Sequence, residues 1–262
     1  MYSHPTAHTP RCGDPGYCIK ANVTLTGKVA VVTGGSRGIG LAIAAALVSR
    51  GASVAITATS DATLRAAADE LTRAGHAESV LTIRADVRRS AEMEQAIGNV
   101  AARFGGLDIL VNNAGVGLFR AVADMSVDEW HTVIDTNLSG VFYSCRAALP
   151  HLRARGGGWI INVSSLASRH PFPDAAAYCA SKAALNAFSE ALMQEVRYDG
   201  IRVTNVMPGS VRTEFAARRP GSDDWRLAPD DVAQVVVDLI AHPSRSLPSA
   251  VEIRPSQPPK KG

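Results

Sequence analysis

Short apolar runs and longer amphipathic stretches alternate along most of this chain. Residues 28–33 (KVAVVT) are rich in β-branched side chains and are followed by glycines, which is typical of a buried strand. Residues 39–50 are rich in alanine and leucine and end at Gly51, which favours a helix. The alternation continues to about residue 254. Strand and helix in regular succession predict a parallel sheet that is covered by helices on both faces.

The same criteria predict six further strands and five further helices. The strands are expected at residues 52–58, 79–85, 107–112, 159–163, 201–207 and 251–254. The helices are expected at residues 61–75, 90–104, 126–153, 176–198 and 229–241. The predicted fold class is therefore α/β, a doubly wound Rossmann-type parallel sheet in a single domain. A ligand is expected at the carboxyl edge of the sheet, where the strand order reverses.

Composition narrows the class of protein. The chain has 262 residues, of which 46% are hydrophobic and 19% are charged, as in a soluble globular domain. Its net charge of +3 is spread along the chain, so it favours small anionic ligands over nucleic acid. Apolar runs stay short of the ~18 residues that span a bilayer. We therefore expect a cytoplasmic protein with no membrane partner and with its four cysteines reduced.

The two ends of the chain differ from the middle. Residues 1–24 are predicted to be a disordered tail, residues 25–255 a catalytic domain and residues 256–262 a second tail. The first tail contains four side chains that can bind soft metals: His4, His8, Cys12 and Cys18. Their spacing follows none of the usual zinc-binding patterns, so no metal site is expected.

A glycine-rich turn connects the first strand to the first helix. Residues 33–40 read TGGSRGIG. Glycine permits a tight turn, and the free N–H groups of the following helix attract a phosphate. Such a turn is weak evidence by itself, but its place at the start of an alternating series favours a dinucleotide.

The end of the second strand bears on the choice of dinucleotide. An acidic residue there would bind the ribose 2′-hydroxyl of NAD, whereas this chain has Thr59 and Ser60. Arg37 in the glycine loop could face a 2′-phosphate. The sequence therefore favours NADP(H), and Asp61 keeps NAD(H) open as an alternative.

Several motifs occur in a fixed order along the chain. They are TGGSRGIG at 33–40, Asp86-Val87, NNAG at 112–115, Asn137, Ser164-Ser165, YCASK at 178–182 and Pro208-Gly209. In this combination the chain resembles the short-chain dehydrogenase/reductase family, over residues 25–255. The resemblance implies an oxidoreductase that moves a hydride between NADP(H) and a small carbonyl compound or secondary alcohol.

Tyr178 and Lys182 are four residues apart on a predicted helix and share one of its faces. An ammonium group beside a phenol lowers the pKa of the phenol from its usual ~10, which suits proton transfer near neutral pH. A solvated pair with no function would have the same spacing. Family resemblance implies that Ser165, thirteen residues before Tyr178, holds the substrate oxygen, and that Asn137 holds a water of a proton relay to Lys182.

The resemblance also implies a set of cofactor contacts. These residues are Gly34, Ser36, Arg37, Gly38, Ile39, Thr59, Asp86, Val87, Asn113, Tyr178, Lys182, Pro208, Gly209, Val211 and Thr213. Among reductases, 3-oxoacyl reductases are similar in the glycine loop and in residues 57–60 but differ at the C-terminal end. A cofactor-binding sensor or scaffold without turnover is the alternative. Such a protein would be expected to lack part of the family's catalytic tetrad, whereas all four members, Asn137, Ser165, Tyr178 and Lys182, are present here. Lyase or epimerase chemistry on the same scaffold is a third possibility, but it usually goes with a longer C-terminal substrate domain than this chain has.

The substrate pocket and the assembly are less well determined by sequence. Five residues are pocket candidates, or merely solvated loop residues: Ser168, Arg169, His170, Phe172 and Phe215. Family members pair their two long helices, so we expect a homotetramer or homodimer. An apolar stripe can form such an interface or can instead face the protein's own sheet; the candidates are Ala147, Ala148, Leu149, Leu152, Phe188, Leu192 and Val196.

Overall fold

A seven-stranded parallel sheet forms the centre of the protein, with the strand order β3-β2-β1-β4-β5-β6-β7. The computed structural model describes residues 23–73, 77–215 and 224–258. The strands are β1 (Val29–Thr33), β2 (Ser53–Ala58), β3 (Val80–Arg84), β4 (Ile109–Asn112), β5 (Gly158–Val163), β6 (Ile201–Pro208) and β7 (Ala250–Ile253). The central strands are almost continuously apolar because both faces of the sheet are buried.

Three helices cover each face of the sheet. The helices are α1 (Gly38–Val48), α2 (Asp61–Thr72), α3 (Ser90–Phe104), α4 (Val127–Ile134), α5 (Gly140–Ala154), α6 (Ala176–Val196) and α7 (Pro229–Ile240). One core cluster joins α1, α2 and α7 to the face that carries Val32 and Ile161. The other joins α3, α5 and α6 to the face that carries Val31 and Ile160. The predicted doubly wound architecture is confirmed.

The predicted helix at residues 126–153 is wrong in one respect. A π-helical turn, Asp135–Ser139, separates α4 from α5. The N–H of Gly140 donates to the carbonyl of Asp135, so one turn contains an additional residue. The apolar pattern on either side keeps a helical period, and for that reason the interruption could not be predicted from the sequence. Asn137 lies in this turn and is fully buried.

The carboxyl edge of the sheet provides a crevice where the strand order reverses. β1 lies between β2 and β4, so the loops that follow β1 and β4 diverge at this point. The loops after β5 and β6 lie at the same edge because every strand is parallel to its neighbours.

Parts of the predicted domain division lie outside the described residues. These parts are residues 1–22, with His4, His8, Cys12 and Cys18, and residues 259–262. Within the part of the chain that the structure describes, no helix is both long and apolar enough to cross a bilayer.

Candidate active site

The glycine loop is tied to the loop after β4 by reciprocal hydrogen bonds. Thr33 Oγ1 accepts from the backbone N–H groups of Asn113 and Ala114, each at 3.1 Å. Asn113 Nδ2 donates to the carbonyl oxygens of Thr33 (3.0 Å) and Gly34 (3.1 Å). Gly34 has a φ of +62°, and a Cβ there would lie 2.8 Å from Ala114 Cα. Asn113 therefore holds two loops together, a role that the sequence did not indicate.

The start of α1 fits the pyrophosphate of a dinucleotide. Among the described residues no side chain caps this helix, and its first turn contains no acid. Its free N–H groups and the positive end of its dipole therefore favour an anion. Gly38 begins the helix with a φ of +54°, and a Cβ there would lie 3.3 Å from Thr213 Cγ2. The segment after β6 thus covers the glycine loop, as the predicted contacts require.

The remaining predicted contacts lie around the start of α1 and in the segment at and after the end of β6. Ser36 and Ile39 are partly exposed beside Gly38, and Ile39 also packs against the core. Gly209 donates its N–H to the carbonyl of Ile253 at 2.8 Å, which fixes the backbone that follows Pro208. Val211 pairs with Leu227 in an isolated bridge.

The residues predicted to contact the adenosine part of the cofactor follow two neighbouring strands: Thr59 follows β2, and Asp86 and Val87 follow β3. Asp86 accepts from Arg88 at 2.6 Å, and this interaction holds the pKa of Asp86 below its usual value. Val87 is buried against Gly140, where a Cβ would lie 2.9 Å from Val87 Cγ2. Thr59 and Asp86 both line a surface cavity of about 530 Å³.

Arg84 is a cationic residue of this region that the sequence reasoning missed. Its Nε donates to the carbonyl of Thr59 at 3.2 Å and lies 3.9 Å from Asp61 Oδ2. Arg84 ends β3 directly beside Ala58 in the sheet register, and a pairing of the predicted β2 and β3 would have revealed it. Arg37, the cation that the sequence did identify, has its Nη1 3.0 Å from Glu214 Oε2. Both partners of that pair are highly exposed, so it contributes little stability.

Lys182 and Asn137 are brought together beneath the carboxyl edge. Lys182 is buried, and its Nζ donates to the carbonyl of Val163 at the end of β5, at 2.8 Å. Asn137 Oδ1 accepts from the N–H of Val116 at 2.8 Å. A Cβ on Gly115 would lie 3.3 Å from Asn137 Oδ1 and 3.6 Å from Lys182 Nζ. Both polar groups therefore border the same small space.

Ser181 completes this network and was also missed. Asn137 Nδ2 donates to Ser181 Oγ at 3.0 Å, and Ser181 Oγ donates to the carbonyl of Tyr178 at 2.8 Å. The buried hydroxyl thus joins the π-helical turn to the first turns of α6. Ser181 stands between Tyr178 and Lys182 in the YCASK motif, but its spacing from either residue pointed to no chemistry.

The pKa of Tyr178 differs from the expectation. Burial raises it above its usual value, and the hydrogen bond with the Ser165 side chain opposes this in part. Lys182 was expected to lower it, but Lys182 Nζ lies 6.0 Å from the centre of the Tyr178 ring and is bound to Val163. Burial lowers the pKa of Lys182 itself to about 8. Desolvation is the largest cause of both pKa shifts, and only the tertiary structure determines how deeply each group is buried.

The pocket candidates divide into two groups. Three of them contact other parts of the protein: Ser168 Oγ donates to the carbonyl of Ser165, Arg169 pairs with Glu252, and His170 lies 2.9 Å from Arg254. The Phe215 ring, in contrast, lies 5.7 Å from the Tyr178 ring. Phe172 is connected to Tyr178 through Phe119, a residue that the sequence did not single out. The Phe172 ring lies 6.0 Å from the Phe119 ring, and the Phe119 ring lies 5.7 Å from the Tyr178 ring.

The family model described as short chain dehydrogenase matches residues 28–223. The chain belongs to the short-chain dehydrogenase family. Its relatives include an uncharacterized oxidoreductase of Staphylococcus aureus, which is 35% identical over 88% of this chain and 98% of the relative. Members of this family are oxidoreductases that bind NAD(P) and act on small molecules.

Two solved structures are similar to this short-chain dehydrogenase. One is a metagenomic short-chain oxidoreductase in complex with NADP, with 39% identity, a TM-score of 0.79, and coverage of 89% of this chain and 99% of the other. The second is an alcohol dehydrogenase from the archaeon Thermococcus sibiricus complexed with 5-hydroxy-NADP. It has 33% identity, a TM-score of 0.80, and coverage of 89% and 99%.

Proposed function

We propose that this short-chain dehydrogenase interconverts carbonyl compounds and secondary alcohols, with NADP(H) as its cofactor and Tyr178 as its acid and base. The observation that carries the proposal is the meeting of Ser165, Tyr178, Lys182 and Asn137 at the carboxyl edge, next to a glycine loop that fits a dinucleotide. The bound nicotinamide supplies or accepts the hydride.

The side chains of this site divide the proton chemistry among them. Burial raises the pKa of Tyr178 and so favours its protonated form, which can donate a proton to a carbonyl oxygen. Ser165 contacts the same phenol and would hold the substrate oxygen by a second hydrogen bond. The Lys182 ammonium would stabilise the phenolate that remains after proton transfer. Asn137 and Ser181 hold the surrounding backbone in place.

Three features support NADP(H) as the cofactor. Arg37 of the glycine loop forms a weak, exposed ion pair with Glu214, so a 2′-phosphate could compete for its guanidinium group. Thr59 follows β2 where an NAD-binding acid would stand, and Arg84 lies against it. Finally, the metagenomic relative binds NADP, and the Thermococcus enzyme binds a derivative of it.

Turnover with a simple diketone tests the proposed reaction. Purified protein should oxidise NADPH in the presence of 2,3-butanedione, measured by the loss of nicotinamide absorbance. Tyr178→Phe should lower kcat by about 10²- to 10⁴-fold, the usual contribution of general acid catalysis, with little change in NADPH affinity. Tyr198→Phe is the matched control because Tyr198 is almost fully exposed. NADPH binding without turnover of any ketone or alcohol would instead identify a sensor or scaffold.

A further inference from the structure

Three phenylalanines form a cluster of ring contacts beside Tyr178. Phe119, Phe172 and Phe215 are 45%, 48% and 42% exposed, although large apolar rings are usually buried. They come from the loops after β4, β5 and β6, so the fold collects them from distant parts of the chain. An exposed apolar cluster that adjoins a polar reacting group marks a binding surface.

The arrangement of the rings is fixed by the backbone around them. A Cβ on Gly117 would lie 2.7 Å from Phe215 Cε1 and 3.0 Å from Phe119 Cζ, so glycine is required for the two rings to approach. The N–H of Arg120 donates to the carbonyl of Asp174 at 2.6 Å, which joins the loop of Phe119 to the loop of Phe172. Asp174 has a φ of +62°, a conformation that non-glycine residues adopt only when their surroundings impose it.

Two of the described arginines near the rings lie in exposed ion pairs. Arg120 lies 3.0 Å from Glu129, and Arg169 lies 2.9 Å from Glu252. Among the described residues, the rings of Phe119 and Phe215 lie against the Tyr178 ring, which favours a ligand whose affinity comes from apolar contact.

We propose that the substrate is an aryl ketone or the corresponding aryl secondary alcohol. Its aromatic ring packs among Phe119, Phe172 and Phe215, and its oxygen points toward Tyr178. The distances of 5.7 to 6.0 Å between the protein rings are those at which aromatic groups attract one another edge to face or with an offset. This inference rests on the proposed reaction, since it names the substrate class of the same site.

Substrate competition with ring-deletion variants tests the inference. Wild-type protein should have a higher kcat/KM for 1-phenylpropane-1,2-dione than for 2,3-butanedione, which carries the same dicarbonyl group without the ring. Phe119→Ala and Phe215→Ala should each lower the first value about tenfold more than the second. Tyr198→Ala is the matched control, because Tyr198 is a 92% exposed aromatic residue that follows α6. It should alter neither value.

A binding measurement separates this inference from the proposed reaction. Benzamide, an aryl carbonyl compound that is not reduced, should bind to the protein in the presence of NADP+ by calorimetry and bind about tenfold more weakly to Phe119→Ala. Loss of the preference for the aryl diketone, or a preference for an acetoacetyl thioester, would overturn the inference while the proposed reaction stands. Absence of all turnover would remove the proposed reaction, and benzamide binding that is unaffected by the variants would remove the aromatic site.

Discussion

At the scale of single residues, burial sets the proton chemistry of this site. Lys182 is enclosed by α6 and the end of β5, and burial lowers its pKa to about 8. Tyr178 shifts in the opposite direction, because burial disfavours the charged form of each group and that form is the base for tyrosine but the acid for lysine. The sequence showed that the two side chains share a helix face but could not show how far water is excluded from them.

The pKa of Lys182 predicts a pH dependence for carbonyl reduction. Below about pH 8 the ammonium is charged and can stabilise the phenolate of Tyr178, and above it this stabilisation is lost. The kcat/KM for 2,3-butanedione should therefore fall as the pH rises through about 8. Lys182→Arg keeps its charge and should move this decline to higher pH. A decline at the same pH in both proteins would assign it to another group.

Arg37 provides a test of cofactor choice. Its exposed pair with Glu214 is weak, so the cofactor phosphate can compete for it. Arg37→Ala should weaken NADPH binding by roughly 1.5–3 kcal/mol, the value of a charge-assisted hydrogen bond, and leave NADH binding almost unchanged. Arg84→Ala should have a smaller effect of the same sign, and Arg103→Ala on α3 serves as the control. A wild-type preference for NADH in fluorescence titrations would contradict the assignment and implicate Asp61.

At the scale of secondary structure, the π-helical turn Asp135–Ser139 positions Asn137. A regular helix would direct successive residues by about 100° each, and the additional residue changes that direction without disturbing the apolar stripes of α4 and α5. Hydrophobic periodicity therefore predicted one helix over residues 126–153 that contains Asn137. It could not show that Asn137 lies in a π-helical turn and is buried. Other helices and all seven strands agree with the prediction to within a few residues, because their boundaries carry glycine, proline or capping residues.

Asn137 is expected to be as important for stability as for activity. Its amide bonds both the N–H and the carbonyl of Val116, as well as Ser181. Asn137→Ala should lower the free energy of unfolding by about 1–3 kcal/mol, because it leaves buried polar groups without partners, and should reduce kcat as well. Ser139→Ala is the control from the same turn, because the Ser139 hydroxyl makes a long 3.4 Å contact with Asp135. It should change neither the free energy of unfolding, measured in urea, nor kcat, measured in steady-state assays.

At the scale of the whole molecule, the helices expected to form subunit interfaces serve two purposes. Ala148, Leu152, Leu192 and Val196 are buried against the sheet of their own subunit, so that part of the predicted stripe is wrong as a surface. Phe142 on α5 is exposed, and its ring lies 6.4 Å from Phe188 on α6. These two rings are the apolar groups that we propose to meet a second subunit.

A charge at Phe142 should therefore disrupt assembly. We expect the wild-type protein to be a homotetramer, or failing that a homodimer, and Phe142→Glu to shift it toward smaller species in light scattering across a dilution series, because a charge is costly to bury in an apolar contact. Phe172→Glu introduces the same charge at an equally exposed ring beside the active site and should leave the mass unchanged. A wild-type protein that stays monomeric at every concentration would refute the proposal.

The sequence by itself determined the features that depend on neighbours along the chain. Strand and helix periodicity, the glycine turn at 33–40 and the spacing of Tyr178 and Lys182 are local patterns, so they could be recognised before any contact was known. Only the tertiary structure decided which distant residues meet. It placed Asn113 on the glycine loop, Arg84 beside Thr59 and Phe119 beside Tyr178, and it set the depth of burial that raises one pKa and lowers the other. These outcomes arise from contacts between loops far apart in sequence, whose geometry no local pattern encodes.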